Sequence, residues 1–413
     1  MNSPSGDFAN AADSVFAMGE SGSAAPDFPP LTTGELTTLL AETAEVPRGR
    51  MGTARGDIAT GAESGGALVI EWHSRRPLSA TARVRLGDGT RVVVKRMPSA
   101  LRDPGTLAPE YAFMNHLRGQ GIPIPRVRSV QQHGEFTYEI QELGIGADRY
   151  RDDFSWSPYH SLADATAAGA MLARLHLAAT GFEAPERPPH SLSAALCTDP
   201  IAGIERYAAH RPPVARFLAA RHWRADWEPI VAQYADGHTS ADTAPDGPAV
   251  DDLSAAVATL PALWTHNDWH GTNLLWSDGG IATVLDFGLA NRTVAVFDIA
   301  TAIERFAIDW LSVAAGGPAR VQAAQLAAFL RGYGEIRPLH RVERDVLPDL
   351  FPLVHIVYEL SEIDYFLTIP PRRQVRNARI AYRNYFLGRS VWAASAEGKA
   401  FTTMLRRLTA ECC

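Results

Sequence analysis

The sequence has little lysine and little cysteine. Lysine occurs only at Lys95 and Lys399, although Lys and Arg together number 39 among 413 residues. Because arginine carries nearly every basic charge, a lysine kept in a strand-like segment is a candidate for a role that needs a compact ammonium group. The 3 cysteines include the adjacent pair Cys412 and Cys413. This pattern excludes a disulfide framework and a zinc site, and we expect a reduced, cytoplasmic compartment.

A long apolar run and a secretory signal are also missing. No uninterrupted apolar stretch approaches the roughly eighteen residues of a membrane span, so no membrane partner is expected. Residues 1–30 lack the Lys or Arg that starts a signal peptide, and their Ser, Gly, Ala and Pro predict a disordered segment. The polar stretch 235–252 predicts a mobile loop. A net charge of -7 disfavours nucleic acid as a partner and mildly favours a cationic substrate.

The sequence does contain the polar residues of a phosphoryl-transfer site, in order. Segment 266–273 reads His-Asn-Asp-Trp-His-Gly-Thr-Asn, and Asp-Phe-Gly follows at 286–288. Transfer from a nucleotide needs one carboxylate to orient or deprotonate the attacking hydroxyl and two oxygen ligands to hold Mg²⁺. Asp268 is the candidate for the first role, and Asn273 and Asp286 are the candidates for the second. Asp-Phe-Gly alone occurs by chance in long chains, whereas the ordered pair of motifs is specific.

Two short apolar strands, predicted at 274–276 and 281–285, would bring the candidate metal ligands together. The segment 277–280 (Ser-Asp-Gly-Gly) predicts a tight turn between them, since Gly and Asp tolerate the backbone angles of a reversal. Such a hairpin places Asn273 just before one strand and Asp286 just after the other. Both side chains would then lie at the same end of the ribbon.

Lys95 and Glu110 are the candidates for binding the nucleotide phosphates. Lys95 ends the strand-like segment 91–95, from which an ammonium group can reach phosphate oxygens. The alternative is a strand residue that extends into solvent. Glu110 opens a predicted helix over 110–117, directly after Pro109, and either pairs with Lys95 or complements the helix dipole as a first-turn acid. The order of lysine strand, helix and catalytic segment favours the ion pair.

In this order the residues resemble the aminoglycoside phosphotransferase and choline kinase-like superfamily of small-molecule kinases. Further similar segments are 122–127 (Ile-Pro-Ile-Pro-Arg-Val), 172–176 (Leu-Ala-Arg-Leu-His) and 297–300 (Phe-Asp-Ile-Ala). The resemblance implies an α+β, two-lobed protein-kinase-like fold. A small antiparallel-sheet lobe with one αC-like helix would span residues 31–143, and a larger, mostly helical lobe would span residues 144–413.

The resemblance also implies ATP as the phosphoryl donor and Mg²⁺ as the metal. It makes Asp268 the catalytic residue, Asn273 and Asp286 the magnesium ligands, and Lys95 and Glu110 the phosphate-binding pair. The acceptor it implies is a hydroxyl of an amino sugar, aminocyclitol or similar metabolite, and a cationic one suits the net charge. The alternatives are a kinase of choline, homoserine or a methylthio-sugar, and a nucleotide-binding protein without catalysis.

The small lobe is predicted to contain four strands, at 67–72, 82–86, 91–95 and 136–141. Thr32 and Glu35, three residues apart, form the capping-box pattern of a preceding helix. After the last strand, the chain is expected to cross between the lobes. By the resemblance, the backbone of Gln141, Glu142 and Leu143 hydrogen-bonds an adenine edge there, and the alternative is an ordinary strand end.

Three departures from the family pattern bear on the function. Asn267 stands where the family usually has glycine, and segment 75–81, before the second strand, contains no glycine. No Ala-Pro-Glu segment follows Asp286, and Asp298 comes only twelve residues later. Because this leaves no room for the activation segment of a protein kinase, a protein substrate is disfavoured.

Several other polar and aromatic residues have two interpretations each. An acidic helix face could receive an ammonium group of the acceptor or could be solvated; it comprises His355, Glu359, Glu362 and Asp364. Three tryptophans could wall the acceptor site, but core packing is favoured for each of Trp269, Trp276 and Trp310. Structural hydrogen bonding is favoured over catalysis for the histidines His176, His266 and His270.

Overall fold

The computed structural model describes residues 27–45, 67–74, 79–236 and 250–413. Most of the segment predicted to be disordered and most of the predicted loop at 235–252 lie outside these ranges. The chain forms a small lobe built on a 5-stranded antiparallel sheet and a larger, mostly helical lobe, which confirms the predicted α+β kinase-like fold. None of the helices in the described part of the chain combines the length and apolar character of a membrane span.

The sheet of the small lobe has the strand order β1-β2-β3-β5-β4, with every neighbouring pair antiparallel. Its strands are β1 (Val69–His73), β2 (Ala80–Arg85), β3 (Arg91–Pro98), β4 (Val127–His133) and β5 (Phe136–Glu142). Alternate residues of β2 are buried, as expected for a strand with one face on a core. Helix α1 (Thr33–Glu45) covers that face and contributes Leu36 and Leu39 to the core.

The predicted capping box starts α1. The Thr32 hydroxyl accepts the Glu35 N–H at 3.2 Å, and the Glu35 carboxylate accepts the Thr32 N–H at 3.4 Å. The same carboxylate accepts a guanidinium N–H of Arg96 at 2.6 Å and the Tyr138 hydroxyl at 2.6 Å. Glu35 therefore both caps the helix and attaches it to β3 and β5.

Residues 27–30 fall within the segment predicted to be disordered, and the structure describes them. Phe28 is buried, and the Pro29 carbonyl accepts a guanidinium N–H of Arg96. The Asp27 carboxylate accepts the hydroxyl of Tyr365, on a helix of the large lobe, at 2.8 Å. This short stretch thus contacts both lobes.

Helix α2 (Pro104–Gly119) begins six residues before the predicted start at Glu110. The Asp103 carboxylate caps it by accepting two N–H groups of the first turn, and a proline follows at the first helical position. Pro109, expected at the helix start, lies inside the helix, so that expectation was wrong. Glu110 is consequently a buried residue of the helix interior and not a first-turn acid.

The large lobe contains the remaining helices and two small two-stranded sheets. The helices are α3 (Leu162–Ala179), α4 (Pro200–His210), α5 (Pro212–Ala219), α6 (Trp223–Asp236), α7 (Val250–Ala258), α8 (Ala295–Phe306), α9 (Trp310–Ala314), α10 (Ala323–Ile336), α11 (Arg341–Leu350), α12 (His355–Thr368), α13 (Val375–Ile380), α14 (Gly388–Ala394) and α15 (Ala396–Cys412). The strands are β6 (Ala262–Thr265), β7 (Leu274–Ser277), β8 (Gly280–Val284) and β9 (Asn291–Val294). β7 pairs with β8 in the predicted hairpin, and β6 pairs with β9.

Two glycines let α3 and α10 meet backbone to backbone. A Cβ atom on Gly169 of α3 would lie 2.0 Å from the Phe329 carbonyl oxygen of α10. A Cβ atom on Gly332 of α10 would lie 2.1 Å from the Thr166 carbonyl oxygen of α3. Since these neighbours are backbone atoms, they cannot move aside as a flexible side chain would.

Gly169→Ala is therefore expected to destabilise the protein by about 1–3 kcal/mol, because the two helices must separate. Urea unfolding measures the loss as a lower midpoint. The matched control is Gly119→Ala at the end of α2, where nothing lies within 4 Å of the added methyl group. It is expected to be neutral or to stabilise by up to about 1 kcal/mol. Equal losses in the two variants would show that the close crossing is not a constraint.

Candidate active site

The buried carboxylate of Asp298, on α8, holds the loop between β6 and β7, called the catalytic loop below. It accepts the backbone N–H of His266 at 2.9 Å and that of Asn267 at 2.8 Å. It also bonds the Nε2 atom of His176 at 3.0 Å, and the other ring nitrogen of that histidine meets the Tyr333 hydroxyl at 2.8 Å. The structural interpretation of His176 is thereby confirmed.

Asn267 takes a backbone conformation that explains the departure from the family glycine. Its φ angle is 59°, in the left-handed region that glycine adopts freely and asparagine tolerates best among the other residues. Its side chain accepts the Thr265 hydroxyl at 2.8 Å and donates to the Leu289 carbonyl at 3.2 Å. Asn267 thus takes the left-handed conformation at a position where the family usually has glycine, and its own side chain stabilises the turn.

His266 braces the loop as predicted, through backbone groups. Its Nε2 atom meets the Leu285 carbonyl at 2.9 Å, and its Nδ1 atom accepts the backbone N–H of Asp268 at 3.2 Å. Leu285 directly precedes Asp286, and its own N–H donates to the Asn273 carbonyl at 2.9 Å. The two predicted magnesium ligands are therefore tied together through the backbone.

The Asp268 carboxylate is partly buried and surrounded by donors. Its Oδ1 atom lies 3.2 Å from a guanidinium nitrogen of Arg305 and 3.3 Å from Nε2 of His270. The side-chain N–H of Asn273 donates to Oδ2 of Asp268 at 3.0 Å. The carboxamide oxygen of Asn273 therefore points away from Asp268. Burial would raise the pKa of Asp268, but His270 and Arg305 outweigh it and hold the pKa well below its usual range.

Asp286 and Lys95 meet across the cleft between the lobes. The Lys95 ammonium lies 3.5 Å from the Asp286 carboxylate, whose side chain is 45% exposed. Each ion favours the charged form of the other, so the pKa of Asp286 is lowered and that of Lys95 is raised. Asp286 has a φ angle of 55°, and its carboxylate accepts the Gly288 N–H at 3.3 Å.

Asp286 and Asn273 form a donor set that suits magnesium. Carboxylate and carboxamide oxygens are the hard ligands Mg²⁺ prefers, and it binds few protein ligands beside the phosphates of a nucleotide. The carboxylate of Asp286 is accessible, and the carboxamide oxygen of Asn273 points away from its bond with Asp268. The residues present therefore fit a magnesium ion.

The ion pair expected between Lys95 and Glu110 is replaced by two other pairs. Lys95 pairs with Asp286, and Glu110 lies 3.5 Å from a guanidinium nitrogen of Arg187. The same Arg187 nitrogen donates to the Gly288 carbonyl at 3.2 Å. Because Arg187 neutralises Glu110 in the interior, Lys95 is free to pair with Asp286.

Glu139 is a site residue that the sequence interpretation missed. It lies opposite Lys95 in the β3–β5 pairing, is 3% exposed, and accepts hydrogen bonds from Tyr111 and Gln141. Burial raises the pKa of Glu139 to about 7, against the lowering effect of Lys95. The available signal was an acidic residue in the middle of a predicted strand, between Tyr138 and Ile140.

The segment after β5 crosses to the large lobe. The Glu142 N–H donates to the Arg126 carbonyl at 2.9 Å, and Leu143 is 39% exposed at the start of the crossing. Two residues later the Ile145 N–H donates to the Thr283 hydroxyl at 2.9 Å, and that hydroxyl donates to the Ile145 carbonyl at 2.7 Å. The crossing is thus fixed to β8, and the adenine contact of Gln141, Glu142 and Leu143 stays a prediction.

The acidic face of α12 is neither solvated nor open to an acceptor. Its residues are all buried: His355, Glu359, Glu362 and Asp364. Glu359 pairs with Arg389 at 2.8 Å, and Asp364 pairs with Arg211 at 2.7 Å. These carboxylates therefore neutralise arginines inside the large lobe.

The three tryptophans are core residues. Their exposed fractions are 0% for Trp269, 1% for Trp276 and 3% for Trp310. The Trp310 indole N–H donates to the Glu304 carbonyl at 2.9 Å. The interpretation as core packing is confirmed over that of acceptor walls.

Glu139→Gln is expected to remove part of the pH dependence of stability. The folded protein keeps a proton on Glu139 up to a pKa of about 7, whereas the ordinary value is 4.5, so stability falls as the pH rises between these values. The variant is expected to be more stable at pH 8 by about 1–3 kcal/mol, at roughly 1.4 kcal/mol per pKa unit. Urea unfolding at several pH values measures this.

The control for that series is Glu142→Gln, a half-exposed glutamate on the same strand. It is expected to unfold with the pH dependence of the wild type. If Glu139→Gln also keeps the wild-type dependence, Glu139 is charged throughout the range and the assignment is wrong.

Known proteins resemble this chain in sequence. The family described as "Phosphotransferase enzyme family" matches residues 76–344. A protein of Deinococcus radiodurans, described as uncharacterized, is 27% identical over 282 residues, which are 66% of this chain and 71% of the relative. A homoserine kinase of Azorhizobium caulinodans is 25% identical over 279 residues, 66% of this chain and 74% of the relative. The solved amicoumacin kinase hAmiN, in complex with AMP-PNP, Ca²⁺ and Ami, has a TM-score of 0.49 at 14% identity and covers 85% of this chain and 92% of its own.

Proposed function

This chain belongs to the phosphotransferase enzyme family, and we propose that it transfers the γ-phosphoryl group of ATP to a hydroxyl group of a small molecule. One observation carries the proposal. Lys95 of the small lobe and Asp286 of the large lobe meet at 3.5 Å, beside the loop that presents Asp268 and Asn273. Phosphoryl transfer needs a cation on the phosphates, two metal ligands and a carboxylate for the acceptor in one cleft.

The protein residues would act mainly by positioning and by charge. Mg²⁺ held by Asn273 and Asp286 would neutralise charge on the phosphate oxygens. Lys95 would bind further phosphate oxygens, with Glu139 on the neighbouring strand as the carboxylate behind it. Asp268 would accept the hydrogen bond of the acceptor hydroxyl and take its proton as the oxygen bonds to the γ-phosphorus and the bridging β–γ oxygen leaves with ADP.

We propose a hydroxylated, amine-bearing metabolite as the acceptor. Homoserine, a small hydroxylated amino acid, is supported by several relatives named homoserine kinase. An amino sugar or aminocyclitol is the second candidate, supported by the net charge of -7. The carboxylates of α12 support neither, because they are buried, and Glu359 and Asp364 pair with arginines. Choline and a methylthio-sugar remain alternatives within the same reaction.

Asp268→Asn is expected to bind Mg²⁺ and ATP like the wild type but to lose at least about 100-fold in turnover, because the hydroxyl loses its proton acceptor. Asp286→Asn is expected to lose magnesium-dependent nucleotide binding as well. Calorimetric titration measures the binding, and ADP formation measures the turnover. Asp278→Asn, in the exposed turn between β7 and β8, is the matched control. Wild-type turnover in Asp268→Asn would contradict the assigned role.

An acceptor screen is expected to give ADP with at least one amine-bearing alcohol. It would compare homoserine, choline, amino sugars, aminoglycosides and a methylthio-sugar, with ATP and GTP as donors. Mass spectrometry should find the product heavier by one phosphate. If only choline or the methylthio-sugar is phosphorylated, the proposed acceptor class is wrong. If no acceptor and no donor gives ADP, the chain is a nucleotide-binding protein without catalysis.

A further inference from the structure

Arg305 touches the predicted catalytic carboxylate from a helix outside the catalytic loop. Its guanidinium lies 3.2 Å from Oδ1 of Asp268, and its side chain is 3% exposed. Arg305 follows Asp298 by seven residues on α8, which is two helical turns and therefore the same face. One helix thus holds the loop at two points: Asp298 binds its backbone, and Arg305 binds the carboxylate of Asp268.

The position of Arg305 is determined by its surroundings and not by Asp268 alone. The guanidinium lies 4.5 Å from the ring centroid of Tyr358 and 5.6 Å from that of Trp156. Its Nε atom is 3.9 Å from the carboxylate of Glu304. A guanidinium fixed in this way loses little further freedom on binding a carboxylate.

Glu304 connects Arg305 to a longer buried chain of charges. Glu304 also pairs with Arg389, and Arg389 lies 2.8 Å from Glu359. Charges therefore alternate from Asp268 through Arg305, Glu304 and Arg389 to Glu359. Arg389 belongs to this buried chain of charges but does not contact Asp268. A substitution at Arg389 therefore shows the general effect of losing a buried arginine, separately from the particular effect of Arg305 on Asp268.

We infer that Arg305 is a positioning residue for the phosphoryl transfer, which acts by holding the carboxylate of Asp268 in one orientation. The inference rests on the proposed function. A carboxylate held in this way aligns the acceptor hydroxyl first and receives its proton as the bond to phosphorus forms. This order suits the loose transition state of phosphoryl transfer, in which catalysis depends mainly on positioning.

The test is turnover of the full chain with the best acceptor from the screen. Arg305→Met is expected to lower kcat by about 10- to 100-fold while the KM for ATP stays within about twofold, because Asp268 loses its fixed orientation. Arg305→Lys is expected to recover part of the loss, since its ammonium group can still pair with Asp268.

The matched control is Arg389→Met, which removes the other guanidinium of the buried chain of charges. It is expected to lower the melting temperature and to keep kcat within about threefold of the wild type. If Arg305→Met does not fold, Arg305→Gln takes its place, because glutamine is also neutral. An unchanged kcat in the neutral variant, or an equal loss of kcat in Arg389→Met, would overturn the inference.

Further outcomes separate the inference from the proposed function. A parallel rise in the KM for ATP in Arg305→Met would indicate general damage and overturn the positioning role. A wild type that forms no ADP with any acceptor would contradict the proposed function. A wild type that forms ADP at the same rate as Arg305→Met would overturn the inference alone.

Discussion

The carboxylate of Asp298 accepts two consecutive backbone N–H groups of the catalytic loop from a fully buried position. The left-handed turn at Asn267 lies where those bonds are made, so the loop is anchored at its most strained residue. From this anchor the loop presents Asp268 to the cleft and returns as β7. The hairpin of β7 and β8 then pairs the backbone of Asn273 with that of Leu285, the residue before Asp286.

Buried charge is the second constraint on the site. Arg187, Arg305 and Arg389 each lie inside the protein with a carboxylate partner. Removing one member of such a pair leaves the other buried without compensation, at a cost of about 3–5 kcal/mol. These ion pairs also determine which charged groups are available to ligands. Arg187 pairs with Glu110, so Lys95 pairs with the accessible Asp286 and not with Glu110. Local stability and the electrostatics of the site therefore depend on the same arginines.

The ion pair of Lys95 and Asp286 links the two lobes at the proposed nucleotide site. Both groups would meet new partners when the magnesium nucleotide binds, Lys95 the phosphates and Asp286 the metal. Glu139, opposite Lys95 on the neighbouring strand, is then the nearest described carboxylate of the sheet to compensate the lysine. Binding would exchange a direct contact between the lobes for contacts through the ligand.

Structural features that depend on residues close together in the sequence could be predicted. Contacts between residues far apart in the sequence could not. Apolar alternation and Gly-Asp turns predicted the strands and the β7–β8 hairpin, and the spacing of Asp268, Asn273 and Asp286 indicated the chemistry, because such patterns act over a few residues. The predicted start of α2 at Glu110 was wrong because a stronger cap, Asp103, begins the helix earlier. The partners of Glu110 and Asp268 come from residues 77 and 37 positions away, namely Arg187 and Arg305. Only the tertiary structure decides such pairs, since burial and packing bring together charges that carry no signal along the chain.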